Sequence, residues 1–180
     1  VEAEQLIASA PHVRTEQDLA EGYDYLAGMI RQALSSAWSF DKHSDIDFPF
    51  FTRSATPYTK VGLDNPDTLY FSARLRDDAE YVVTGRRGTT ADLSFQVLNG
   101  DYTPADVPDS LSAFDDRDIE IAADGTFSLR FGPPKPDGGP NYFALGPRAA
   151  MLLVREVFSD WTATPGSIRI ERVDGVGTAP

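Results

Sequence analysis

The sequence predicts a mainly β chain, α+β overall: a jelly-roll-like antiparallel β-sandwich with one long N-terminal amphipathic helix packed on it. Three observations lead there. Apolar residues recur at helical spacing in one long stretch, between Thr15 and Ala37. Beyond Asp67 the apolar period falls to two, the mark of half-buried strands. No strand–helix–strand alternation follows, so hairpin and Greek-key or jelly-roll connections are the natural way to join the strands. The chain divides into an N-terminal helix with an aromatic, proline-rich connection (1–61), a β-sandwich (62–174) and a loose tail (175–180).

Residues 1–14 read as a short helix or an arm. Thr15 followed by Asp18 resembles a helix N-terminus, with acidic side chains in the first turn. Leu19, Tyr23, Leu26, Ile30, Leu34 and Trp38 then fall on one face, and a single apolar stripe of that kind needs a surface such as the later sheet to lie against. Pro49, Pro57, Gly62 and Pro66 forbid a long regular element next. Phe48, Phe50, Phe51 and Tyr58 are too apolar for a solvated linker, so this loop is expected to pack on the domain and to form a pocket wall.

From Gly62 to Thr89 the chain reads as a turn, a strand, a tight Asp77-Asp78 connection, a second strand and a glycine-bounded exit, which is a hairpin. Leu69, Phe71, Ala73 and Leu75 alternate with polar residues; Tyr81-Val82-Val83 follows; Leu93, Phe95 and Val97 make a third strand. Asn99–Asp118 is acidic and proline-containing and reads as a long surface loop. Ile119 and Ile121, then Asp124-Gly125, then Phe127, Leu129 and Phe131 predict a hairpin with an Asp-Gly turn. Met151–Phe158 and Ile168 to Val173 complete seven or eight strands.

The 180 residues carry 28 acidic and 16 basic side chains, a formal charge of −12, with no cysteine. An acidic field repels phosphate backbones and anionic membrane surfaces, so neither nucleic acid nor membrane is an expected partner. No apolar run approaches the roughly 18 residues of a membrane span. Without cysteine there is no disulfide, thiolate ligand or iron–sulfur chemistry. With no visible signal peptide, although the first residue is not Met, a cytoplasmic location is favoured.

Catalytic constellations are scarce. His12 and His43 are the only histidines and are not at ligand spacing, so no metal site and no cofactor is expected. Asp106, Asp109, Asp115, Asp116 and Asp118 lack calcium-loop spacing and read as a solvated acidic loop. Gly85-Arg86-Arg87-Gly88 has the charge to hold an anion, but turn geometry is the simpler reason for its glycines. Two clusters remain. Asp64-Asn65-Pro66-Asp67 makes an Asx-type turn, from which Asn65, Asp67 and Tyr70 would aim polar groups at a pocket beside the aromatic loop. Arg155 and Glu156 are adjacent on a strand, so one of them points inward with its apolar neighbours and needs a partner. Asp67 or Asp160 would serve for Arg155.

Taken together, GLDNPDTLYFSARL, YVVTGRRGT, the ADGTF turn and PNYFALGPRAAMLLVREVFSDW resemble the domain of unknown function 1214 family, over about Gly62 to Val173. The pattern N-P-D-x-x-Y, G-x-x-G-T, D-G, N-[WY]-x-x-L and R-x-x-x-x-D-W is met by Asn65, Pro66, Asp67, Tyr70, Gly85, Gly88, Thr89, Asp124, Gly125, Asn141, Tyr142, Leu145, Arg155, Asp160 and Trp161. The resemblance implies a jelly-roll β-sandwich and brings no activity with it. Relatives often continue into a second β-domain, so a homo-oligomer or pairing with such a domain is an implied partner.

The first functional expectation is a small-molecule domain binding an apolar or amphipathic ligand through Phe48, Phe50, Phe51, Tyr58, Asn65, Asp67, Tyr70 and Arg155. The second is a carboxylate-based hydrolase or lyase, with Asp67 and Arg155 as its catalytic pair. The third is one subunit, or one half, of a larger assembly of two β-domains. A β-sandwich serves all three equally well.

Overall fold

The computed structural model describes residues 2–37, 48–53, 55–56, 59–60, 64–100, 102 and 106–173. Trp38, His43, Tyr58, Gly62 and the tail 175–180 lie outside the described residues. Among those described, no helix is long and apolar enough to cross a membrane.

Two helices open the chain, α1 (Glu2–Ala8) and α2 (Glu16–Ala37). Thr15 caps α2: its Oγ1 accepts from the Asp18 backbone N–H at 3.1 Å, while Asp18 Oδ2 accepts from the N–H groups of Arg14 and Thr15 at 2.9 Å each. This reciprocal box satisfies donors that a helix start otherwise leaves open. Those donors, the Arg14 N–H foremost, hold the Asp18 carboxyl below the usual carboxylate range. The element that α2 packs on is α1, which crosses it at Gly22, where a methyl group would run into Ile7.

Eight strands follow: β1 (Thr68–Arg74), β2 (Tyr81–Arg86), β3 (Asp92–Leu98), β4 (Ser110–Asp115), β5 (Thr126–Gly132), β6 (Tyr142–Ala144), β7 (Met151–Val157) and β8 (Ser167–Arg172). They form two four-stranded sheets, in the orders β1-β7-β3-β4 and β6-β5-β2-β8. Every pairing is antiparallel except β5 with β6. The chain is thus mainly β and α+β overall. Alternation sends Ala73, Leu93, Phe95, Val97, Leu152 and Val154 of one sheet against Tyr81, Val83, Phe127, Leu129, Phe131 and Ile170 of the other, in one buried cluster. Phe95 and Phe127 meet edge to face across the layers at 6.3 Å. Phe114 of β4 stacks on Phe143 of β6 at 3.6 Å and joins the two sheets at one side. Each fully buried ring stabilises the fold by roughly 1.5–3 kcal/mol relative to exposure.

Four expectations change. First, β1 and β2 are not a hairpin, because they belong to different sheets. Their link is anchored in the core, with Leu75 and Ala79 buried, the Leu75 N–H bonded to Ala150 O and the Arg76 N–H to the Tyr81 hydroxyl. It therefore carries the chain from one layer to the other. Second, the stretch Asn99–Asp118 contains β4, whose alternation is broken by a bulge: Val97 faces Ser112 and Leu98 faces Ser110, leaving Leu111 as an extra residue. Third, the Asp-Gly turn forms, with Gly125 at φ 86° and its N–H bonded to Ala122 O, but Ile119 and Ile121 pack on the core without forming a strand.

The fourth concerns α2, which does not lie on a sheet. Its apolar residues Tyr23, Met29, Ile30 and Leu34 are exposed, Ile30 at 53% and Leu34 at 68%. The sheets cover each other's inner faces; the outward row of one sheet carries the buried Leu98, Met151 and Leu153 beside the polar Gln96 and Arg155, and that of the other carries Thr84, Ser128 and Arg130. Among the described residues α2 makes no extended contact with any strand.

Candidate functional site

At one end of the sandwich three short segments build a site. The first is the entry to β1. Asn65 Oδ1 accepts from the Asp67 N–H at 2.9 Å and Asn65 O from the Thr68 N–H at 3.1 Å, which closes the Asx turn expected from the sequence. The Tyr70 hydroxyl accepts from the Asn65 N–H at 3.0 Å and fixes the turn to the strand.

The second segment is the exit of β7. Asp160 Oδ1 accepts from both the N–H and the hydroxyl of Thr162 at 2.8 Å, bonds that keep its carboxyl below the usual range. The turn so formed presents Trp161, 56% exposed and stacked on Phe158 at 4.5 Å with the rings 6° from parallel. Its indole N–H donates to Asp67 Oδ1 at 2.7 Å, and the Phe158 N–H donates to Asp67 O at 2.8 Å. One residue thus ties the two segments together and locks the indole in one orientation.

The third segment runs along the edge of β1. Thr52 exchanges backbone hydrogen bonds with Ser72 at 2.8 and 2.9 Å, and Thr56 does so with Thr59 at 2.9 and 3.1 Å. These bonds bring Arg53 and Lys60 to the site, with Lys60 Nζ 3.6 Å from Asp64. Together the segments line a half-open cleft of about 700 Å³, with Leu69, Phe158, Trp161 and Pro165 as its apolar wall. That lies within the range of small-molecule sites, roughly 300–1,000 Å³.

A second cavity of about 340 Å³ opens beside the first, and Arg53 belongs to both. It penetrates between the layers, with Phe51, Phe71 and Leu93 on one side and Arg86, Gly166 and Ile168 on the other. Glu156 reaches into it from β7.

The sequence-derived residues divide between these places. Asn65 lines the larger cavity, Asp67 orients its tryptophan and Tyr70 braces its turn. Phe51 lines the smaller one; Phe48 and Phe50 are exposed and line neither; Tyr58 lies outside the described residues. Arg155 sits on the outer face of its sheet, level with Tyr70 and Ser94, and donates to Gln96 Oε1 at 2.8 Å. It is bonded to neither Asp67 nor Asp160. Glu156 is the member of that pair that points inward, at 2% exposure. The parity of β7 carries this signal: Leu152 and Val154 face the core, and Glu156 continues their row. Trp161, Arg53 and Lys60 come from loops, where no period marks a direction.

No protein-family model matches the chain, and no curated protein does. Among solved structures, the crystal structure of an uncharacterised protein from Burkholderia cenocepacia is similar: 34% identity, TM-score 0.82, covering 99% of this chain and 48% of that one. The VPA0106 protein from Vibrio parahaemolyticus is 10% identical, with a TM-score of 0.42, over 92% of this chain and 47% of that one. The chain spans about half the length of each.

Proposed function

We propose that the chain is a small-molecule binding domain whose larger cavity takes an amphipathic ligand with an anionic head. The observation that carries this reading is Trp161, a largely exposed indole held rigid by Phe158 and Asp67 in an apolar wall, with cations at the rim. Exposed aromatics cost little to leave in place when a ligand covers them, and a fixed ring loses no entropy on binding. Arg53 has no carboxylate partner among the described residues, in a chain of net charge −12. A cation so placed favours a carboxylate head. The hydrolase or lyase alternative finds no support in the geometry, since Asp67 is engaged by Trp161 and Arg155 lies on the outer face.

The assembly reading is compatible with ligand binding and is supported by the doubled length of the Burkholderia cenocepacia chain. The resemblance to the domain of unknown function 1214 family and the jelly-roll form it implies are carried with this proposal, on the Asn65-Pro66-Asp67 turn and the Asp160-Trp161 pair.

The test is a titration with sodium decanoate in a Trp38→Phe background, so that Trp161 is the reporting fluorophore. Saturable change is expected, weakened at least about tenfold by Arg53→Ala with Lys60→Ala, while decanol binding is unmoved. No saturable change, or equal binding of decyltrimethylammonium, would overturn the reading.

A further inference from the structure

The smaller cavity holds a feature that the proposal above does not use. Glu156 is a buried carboxylate with only one of its oxygens committed. Oε1 accepts from the Thr90 hydroxyl at 2.9 Å and from the Gly166 N–H at 2.7 Å. Arg87 donates to Thr90 Oγ1 at 2.6 Å and is itself paired with Asp116 at 2.6 Å, so this side of the carboxylate is fully braced. Oε2, among the described residues, receives no hydrogen bond and faces no cation in an ion pair. Among the described residues the only sealed side-chain polar atom without a partner is Ser112 Oγ, so Oε2 is not sealed: it is open to the cavity that Glu156 lines.

A carboxylate oxygen this deep needs a donor, and one that opens on a cavity takes it from whatever fills that cavity. The surroundings narrow what that is. Phe51, Phe71, Leu93 and Ile168 make apolar walls that suit a small apolar or aromatic body. One guanidinium group faces the same space, and a second, on β2, is turned to the outer face of its sheet. Arg53 lies 5.8 Å from the Phe71 ring centroid, and Arg86 is held to Asp124, donating to its backbone oxygen at 2.6 Å. A protonated amine approaching Glu156 would meet the Arg53 charge, whereas a neutral hydroxyl donor meets no such repulsion.

We infer that this cavity is a second ligand site, taking a small apolar or aromatic molecule through a hydroxyl group that donates to Glu156 Oε2. The site stands on Glu156 and its walls, independently of whether the Trp161 cavity binds an amphiphile.

The experiment uses phenol, anisole and benzylamine as probes, followed by amide and indole N–H chemical shifts. Anisole has the ring without the donor, and benzylamine replaces the hydroxyl with a cation. Phenol is expected to bind at least about tenfold more tightly than either, as one hydrogen bond to a charged acceptor allows. Its largest shifts are expected at Gly166 and Thr90, with the Trp161 indole signal unmoved. Glu156→Gln keeps an oxygen for Thr90 and Gly166 and puts an amide donor where Oε2 was, so it should bring phenol down to the level of anisole. Where that variant does not fold, the comparison of the three probes on the parent protein decides. No binding of phenol, equal affinity for phenol and anisole, tighter binding of benzylamine, or phenol shifts centred on Trp161 would each overturn the inference.

Discussion

Asp67 is committed on three sides: its N–H to Asn65, its carbonyl to Phe158, and its carboxylate to the Trp161 indole. A sequence reading sees a carboxylate near a polar turn and weighs it as an acid or base. The contacts that make it a brace come from residues more than ninety positions away, which no local spacing encodes. Asp67→Ala should cost about 1–2 kcal/mol in urea unfolding and shift Trp161 emission, because a hydrogen bond to a charged acceptor is lost. Asp67→Asn keeps an oxygen in place and should recover most of both effects; equal behaviour of the two variants would mean that the bond does not hold the ring. Asp115 makes the matching case for pH. Arg117 pairs with it through its side chain and backbone, and its carboxyl is pushed down from 3.8 to about 2. A depressed carboxylate contributes stability that is fully present above the unfolded value and is lost as pH falls through the folded one. The parent protein should therefore lose more of its urea midpoint between pH 3.8 and about 2 than Asp115→Asn does. Parallel profiles would contradict the pairing.

At the scale of elements, alternation was legible and pairing was not. Leu93, Phe95 and Val97 announce β3 because their face is the more deeply buried one. By contrast, β7 reads as a long apolar run because both of its faces are buried, Leu152 and Val154 on one side and Met151 and Leu153 on the other. Nothing in that period says which strand lies alongside, so β1 and β2 looked like partners until the buried Leu75 and Ala79 showed their link crossing between layers. The bulge at Leu111 removed the signal of β4 altogether. The glycines of the Gly85–Gly88 stretch were legible as special positions, but their reason is distant. Neither has a positive φ; the segment 164–166 passes so close that a methyl group on Gly88 would overlap Thr164 O and Pro165 C. That same approach brings Gly166 to Glu156. Gly88→Ala should destabilise the protein by roughly 1–3 kcal/mol, as overpacking against backbone does, and lower its melting temperature. An unchanged melting temperature would show that the 164–166 segment yields freely.

For the molecule as a whole, the cavity-bearing end of the sandwich and the exposed stripe of α2 pose different questions. Both cavities lie at the end of the sandwich where β1 begins and β7 ends, and there a carboxylate continues the core row of β7. The helix stripe was legible from spacing, and so was the need for a surface, but not that the element packed on α2 would be α1. If α2 contributes nothing to that core, its apolar positions are free to change. The double variant Ile30→Glu with Leu34→Glu removes the two most exposed apolar residues of the stripe. Surface changes away from caps and cores fall within about 0.5 kcal/mol, so the urea midpoint of the sandwich should not move. Both positions lie well beyond the first turn of α2, so the Thr15–Asp18 box is untouched. A fall of more than about 1 kcal/mol, measured at a concentration where light scattering gives a monomer, would place the stripe against a surface of the same chain. That result would restore the sequence-derived expectation of a helix lying on the sheet.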